Sequence, residues 1–402
     1  MRTVLQIWQQ EYRNIFTDRG VLLLFFGAII IYPIIYPIPY SNNVLKDVPI
    51  TVVDLNNSQL SRQLIRMIDA NEFVDVYSKT GDINAAQKEF FEGEVYGVLL
   101  IAKDFSQKIL WGEPANVVVF TDASYFLFYR QVLTGIVSST ATMSAGVEIQ
   151  HMLAQGLSRD EAMQARDPLP LISYPLFNPS GSYAVFVVPA VLLLILQQTL
   201  LIGIGMLAGT ARERSNLHFL IADRDLDQSH KIILGKAGAY FSLYLVHATY
   251  FFGVLFRAYD YPQRTGLLEL LVFITPFLFA VIFLGIALSS LFRNRETSLM
   301  VLVFTSLPAL FLSGFSWPPE AIPPWLHLLS YLLPSTAGID GFLKLNIMGA
   351  EFREVLVSWL WLWGLAGGYF WMAIWGVQRL QAKIASVATD PAAPGSVEIA
   401  AP

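Results

Sequence analysis

Cysteine is absent from the 402-residue chain, so no disulfide or thiol-ligated metal can hold it together, and thiol redox chemistry has nothing to act on. Charge is scarce as well. Only 14% of residues are Asp, Glu, Lys or Arg, and the net charge of -5 includes no basic run of the kind that tracks a nucleic-acid backbone. The five histidines, His151, His218, His230, His247 and His327, are scattered without HExxH or comparable ligand spacing, so no metal site is expected. A GxxxxGK[ST] phosphate loop is missing too. The nearest string, SHKIILGKAG from Ser229 to Gly238, lacks the first glycine and the hydroxyl after lysine. Without paired acids or a nucleophile beside a base, the chain is expected neither to be an enzyme nor to bind a cofactor itself.

What the chain has is apolar surface: 54% of its residues are hydrophobic and 13% aromatic, which marks a membrane protein. Runs of about 20 residues, the length a bilayer requires, fall at 21–40, 183–209, 237–256, 267–292, 297–315 and 355–377. Lys and Arg near span ends are retained in the cytoplasm. Arg2, Arg13 and Arg19 precede the first span; Arg212, Arg214, Arg224, Lys231 and Lys236 lie between the second and third; Arg293 and Arg295 follow the fourth; Arg379 and Lys383 follow the sixth. Six spans put all four groups on one side, so both termini, with the small, Pro-rich tail at 379–402, are expected in the cytoplasm of a cell inner membrane. A cleaved signal peptide fits the first run poorly, because its polar n-region is long and no small-x-small site follows. Ahead of it, Val4, Leu5, Trp8, Tyr12, Ile15 and Phe16 share one face at helical spacing, which predicts an interfacial helix within residues 1–20.

Residues 41–182 have a different character, expected on the far side of the membrane. VPITVVDLNNS, EFVDVYS, VYGVLLIA and ANVVVFTDAS read as strands, and SQLSRQLIRMIDA, DINAAQKEFFEGE and KDFSQKILWG as helices, the last ending at Gly112. A long, polar-faced helix follows from about Tyr125 to Gln155, then a proline-rich return segment. The expectation is a small inserted α/β extracytoplasmic domain.

FLSGFSWPPEAIPPWLHLLSYLLP, Phe311 to Pro334, is too apolar for a loop and too rich in proline for a helix. Gly314 permits a turn, Pro318 and Pro319 end one helix, Pro323 and Pro324 start the next, and Trp317 and Trp325 suit an interface. This pattern predicts a re-entrant helical hairpin over 315–335, before the last span, that dips in and returns at Pro334. Inside the second span, Gln197, Gln198 and Thr199 are polar at bilayer depth, and His247 is ionisable in the third. Such groups either line a wet path or bond to neighbouring helices. Gly205 with Gly209 and Gly364 with Gly368 form GxxxG steps, read first as packing within one subunit and second as dimerisation.

Ser313, Gly314, Phe315, Pro318, Ile322, Pro323, Trp325 and Pro334 together resemble the segment between the fifth and sixth spans of ABC-2 type transport permeases. The resemblance runs over nearly the whole chain, since Gly97 to Ser124 is similar to the external domain of a subgroup with one large insertion after the first span. It implies an α-helical polytopic membrane protein with six transmembrane helices in 21–40 and 183–378. It also implies a permease subunit of an ABC exporter, driven by two copies of a separate ATPase that carries ATP and Mg, and paired with a second permease as homodimer or heterodimer. A periplasmic membrane-fusion adaptor is a further implied partner, membrane lipid is a contact, and nucleic acid is not expected. The loop at 210–236 would carry the coupling helix, with Arg212, Glu213, Arg214, Leu217 and Leu220 as the ATPase-contacting residues. Ser215 and Asn216 stand where a Gly-Thr pair is common, and Asp223 where proline is usual. The cargo expected from aromatic, weakly charged spans is amphipathic or hydrophobic. A different class, a membrane-anchored receptor or scaffold whose α/β domain binds a ligand or protein, remains as the alternative.

Overall fold

The computed structural model describes residues 3–40, 44–213 and 229–388, with side chains to 382. The described residues fall into two compact units, one formed by the N-terminal segment to Ser41 with Leu176 onward, the other by Asn42–Pro175.

The first unit is helical. Helix α1 (Val4–Thr17) starts on a capping box in which Thr3 and Gln6 satisfy each other's backbone N–H groups. Asp18 ends it and caps α2 (Arg19–Tyr40) by accepting from the N–H groups of Gly20 and Val21 at 3.0 and 3.1 Å. The face of α1 packed in the protein is Ile7, Glu11 and Ile15, while Val4, Leu5 and Phe16 of the apolar stripe stay exposed. A stripe on an amphipathic helix that the protein leaves uncovered suits the lipid boundary.

The helical unit contains five more long apolar helices, which we number after the α/β unit described below. They are α8 (Tyr183–Glu213), α9 (Ser229–Ala258), α10 (Leu267–Ser289), α11 (Arg295–Leu312) and α14, which runs from Leu356 after a short 3-10 turn at Phe352–Val355. Helices α8 and α10 are mostly buried against their neighbours, and fully buried Phe25, Tyr240, Tyr244, Phe252, Phe273, Phe277 and Phe342 fill the centre. At Gly209 two helix backbones come closest: a Cβ there would stand 2.6 Å from the Arg295 backbone, so only glycine lets α8 and α11 cross. Gly205 likewise faces Leu302 and Ser298 of α11, whereas Gly364 and Gly368 face open space. The first GxxxG step is therefore an intrachain contact, and the second meets nothing among the described residues.

Between α11 and α14 the chain breaks at Ser313–Pro318. Gly314 takes φ +82, a conformation that excludes ordinary L side chains. Helix α12 (Pro324–Ser330) follows, and then α13 (Pro334–Phe342), which continues as π-helical turns at Leu343–Met348. Within and just after residues 315–335, where a hairpin was expected, the chain forms these two short helices. Pro334 occupies the first turn of a helix, where its missing N–H costs nothing, so it opens the second arm rather than closing it. That arm is the buried one, with Pro334, Ser335, Ala337, Ile339 and Phe342 all inside.

The α/β unit is a four-stranded sheet of order β2-β1-β3-β4, with β1 (Val48–Asp54) parallel to β2 (Val74–Thr80) and β3 (Gly97–Ile101), and β4 (Val117–Thr121) antiparallel to β3. Helices α3 (Gln59–Asp69), α4 (Ile83–Glu92), α5 (Phe105–Trp111), α6 (Phe126–Ala154) and α7 (Arg159–Arg166) complete it. β1 is buried on both faces, as a central parallel strand must be. Asp54 at its end holds the turn into α3, accepting from the N–H groups of Asn56 and Asn57 at 3.0 Å each and from the Ser61 hydroxyl at 2.7 Å. Among the described residues, seven helices are long and apolar enough to cross a membrane. Six overlap the six expected spans; the seventh is α6, whose Val132, Ile136 and Met143 are buried in the core of the α/β unit.

Candidate coupling and translocation site

Two charged clusters bind the helices on either side of residues 214–228 to α1 and its junction with α2. In the first, the Arg295 guanidinium donates to both carboxylate oxygens of Asp18, at 2.5 and 2.9 Å, and to the Thr210 hydroxyl at 2.8 Å. The Glu213 carboxylate accepts from the Arg295 backbone N–H at 2.7 Å, satisfying one of the orphan donors at the start of α11. One arginine thus ties the α1–α2 junction to the end of α8. Burial alone would raise the Asp18 carboxyl, but the bonds from Arg295, Val21 and Gly20 outweigh it and hold it below the usual carboxylate range.

In the second cluster Glu11, 1% exposed, accepts from the Tyr240 hydroxyl and from Lys236 at 3.3 Å, both on α9, and from the Asn14 amide at 3.3 Å. A carboxylate taken out of water without partners costs several kcal/mol, so these donors are what allow Glu11 to face the protein. Ser229, the first residue of α9, donates to Gln381 of α14 at 3.2 Å.

Of the coupling residues expected from sequence, Arg212 and Glu213 are described, and Arg214, Leu217 and Leu220 lie outside the described residues, as do Ser215, Asn216 and Asp223. Glu213 faces its own chain. Arg212 is half-buried, and its Nε has no hydrogen-bond partner among the described residues. It lines a cavity of about 60 Å³, with room for about two waters, beside Lys236, Tyr240, Ser289 and Ser290.

The polar residues of the spans do not converge on one point. Gln197 and Thr199 leave α8 in different directions: the Gln197 amide reaches the Ser335 hydroxyl of α13 at 3.3 Å, and Thr199 accepts from the Tyr244 hydroxyl of α9 at 3.0 Å. His247 lies one turn beyond Tyr244, its ring edge-on to Tyr244 and to Phe26 of α2. The side-chain carbonyl oxygens of Gln197 and Gln198, and His247 Nε2, have no partner among the described residues. Asn346, in the π-helical turns after α13, is fully buried, and neither side-chain atom has a hydrogen-bond partner among the described residues. Sequence reading passed over it, and the only available signal was a carboxamide in an apolar stretch. Buried amides of this kind normally require water or ligand.

Around the chain break, Ser313 is buried and donates to the Leu310 carbonyl at 2.6 Å, Phe315 packs near Phe186 of α8, and Trp317 and Trp325 are exposed. Pro318 precedes a 3-10 turn, and Pro323 precedes α12. The carbonyls freed between the two arms are taken up by α14, where Trp361 donates to Tyr331 at 2.9 Å and Tyr369 to Leu332; Thr336 closes the turn on the Ser330 carbonyl at 2.7 Å.

Residues 19–375 match the ABC-2 family transporter protein family. The chain is 22% identical over 383 residues to the inner membrane transport permease YhhJ of Escherichia coli, covering 93% of this chain and 96% of that one. It is 25% identical over 158 residues to the probable multidrug ABC transporter permease YbhR of the same organism, a match spanning 39% of this chain and 42% of YbhR. ABC transporter G family member 20 of Dictyostelium discoideum is 20% identical over 319 residues, 78% of this chain and 42% of that protein. With a match from the first long apolar helix nearly to the end of the last, the chain is an integral membrane protein that belongs to the ABC-2 family of transporter proteins.

Proposed function

We propose that the chain is the transmembrane permease subunit of an ATP-driven exporter, moving an amphipathic or hydrophobic substrate across or out of the inner membrane. Membership of the family implies an ATPase partner and a permease dimer. The finer assignment is that two ATPase copies, carrying ATP and Mg, dock on the loop at 210–236, and that the second permease is a copy of this chain or a relative. In this reading six helices span, both termini are cytoplasmic, and 41–182 lies outside, where it could hand cargo to a periplasmic adaptor. The arms around Pro334 form a re-entrant hairpin at the outer exit, and Gln197, Gln198, Thr199 and His247 border the path.

The observation that supports the coupling assignment is the anchoring of α8 and α9, the helices on either side of 214–228, to α1 and to the α1–α2 junction. Glu213 and Thr210 reach it through Arg295 and Asp18, and Lys236 and Tyr240 through Glu11. Moving α8 or α9 away from α1 or the α1–α2 junction would break these charged contacts in a partly desolvated site, so a force applied there is passed to α1 and its junction with α2. Copurification tests the partnership. An ABC ATPase co-expressed with this chain should remain bound through detergent extraction and stimulate on lipid reconstitution; an ATPase that never associates would leave the receptor or scaffold reading in its place.

A further inference from the structure

The largest cavity among those described lies in the α/β unit, away from every residue discussed above as coupling or path. It is a groove of about 620 Å³ between α5 and α6, within the range of roughly 300–1,000 Å³ that drug-sized ligands fill. Buried Leu64, Phe105 and Met143 form an apolar floor. One face of α6 forms a wall: Val137, Ala141, Ser144, Glu148 and His151 recur at helical spacing along it. The opposite wall is the end of α5 and the turn Gly112–Ala115, which brings in Glu113.

The charge at the rim is of one sign. Glu113 and Glu148 line the groove, and no Lys or Arg does. Lys108 stands near Glu113 and Arg166 approaches Glu148 at 3.5 Å, but each is shared with another carboxylate, Asp104 at 2.7 Å and Asp167 at 3.8 Å, so the net charge around the groove stays negative. An apolar floor beneath a carboxylate rim selects a molecule with a flat or bulky apolar body and a positive charge, and disfavours the same body carrying a negative one.

We propose that this groove binds amphipathic cations. The proposal deepens the amphipathic-cargo reading and rests on it for its biological meaning, although binding can be measured without any transport. The probe is tetraphenylphosphonium, with tetraphenylborate as an anion of the same shape, titrated against the full chain in nanodiscs of zwitterionic lipid. Saturable binding of the cation above the lipid background is expected, with the anion bound much more weakly. The double variant Glu113→Gln, Glu148→Gln should lose about tenfold in affinity, the sum of two partly exposed charge contacts. Ala141→Trp, at an exposed helical position that folding tolerates, should abolish binding by filling the groove. Wild-type affinity in Ala141→Trp, no saturable binding, or equal binding of both ions would each overturn the assignment. Export of cations in cells by a chain whose groove fails these tests would sink the groove alone and leave the transporter reading intact.

Discussion

Replacing Asp18 separates two roles that one carboxylate performs. Asp18 caps α2 through Gly20 and Val21, and pairs with Arg295 through both oxygens. Asparagine caps a helix about as well as aspartate, so Asp18→Asn removes the ion pair and keeps the cap. Breaking a fully buried pair costs about 3–5 kcal/mol, and an exposed pair is worth about 0–1 kcal/mol. The Arg295 and Asp18 side chains are 27% and 11% exposed, and Arg295 keeps Thr210 after the change. The expected loss is therefore intermediate, about 2 kcal/mol, or roughly a thirtyfold shift in the folding equilibrium. Asp18→Ala removes the cap as well and should lose about 1 kcal/mol more. Equilibrium unfolding of the purified chain in mixed micelles containing dodecyl sulfate reads both values. A pH series gives an independent check. Because the Asp18 carboxyl is held below its ordinary value, its stabilisation is complete above about pH 4 and is lost as pH falls further, through the folded-state pKa. Asp18→Asn should lack that component. An Asn variant as stable as wild type, or one as unstable as the Ala variant, would refute the division into cap and pair.

Three other outcomes follow from the packing. Gly209→Ala places a Cβ against the Arg295 backbone and should cost about 2–3 kcal/mol or prevent folding, while Gly364→Ala meets nothing among the described residues and should leave monomer stability unchanged; size-exclusion profiles and unfolding midpoints compare them. Gln197→Leu removes a buried, unbonded carbonyl at the cost of one 3.3 Å contact, so the variant should fold at least as well as wild type, and its export should fall if the amide borders the path. Undiminished export by a well-folded Gln197→Leu would reduce that residue to helix packing. Asp54→Ala unties three hydrogen bonds at the end of β1 and should destabilise the α/β unit by about 2–3 kcal/mol, read by proteolysis within 42–175, with the helical unit unaffected.

Local signals carried much of the fold. The strands and helices of the α/β unit follow alternation, caps and turn residues: Asp82 caps α4 through Asn84, and Gly112 ends α5. The apolar runs mark the long helices, although length and composition also admit α6, so a count of six does not follow from them alone. A proline can end a helix or start one, and at Pro334 the burial of Ser335 to Ile339 downstream, which the sequence does not show, accompanies a helix start. The charged clusters were illegible for another reason. Glu11 and Asp18 look like solvated residues of an interfacial helix, and the partners that bury them, Tyr240, Lys236 and Arg295, are more than 200 residues away. Asn346 was missed because an orphaned amide is defined by its surroundings.

The central claim is that work enters through the loop at 210–236. Its most direct test is ATP hydrolysis and cargo movement measured together in proteoliposomes holding this chain and its ATPase, comparing wild type with the Glu213→Ala, Leu220→Ala double variant. The account predicts that the complex still assembles and hydrolyses ATP but that transport per ATP falls steeply in the variant. Transport per ATP equal to wild type would contradict it and move the coupling surface elsewhere on the chain.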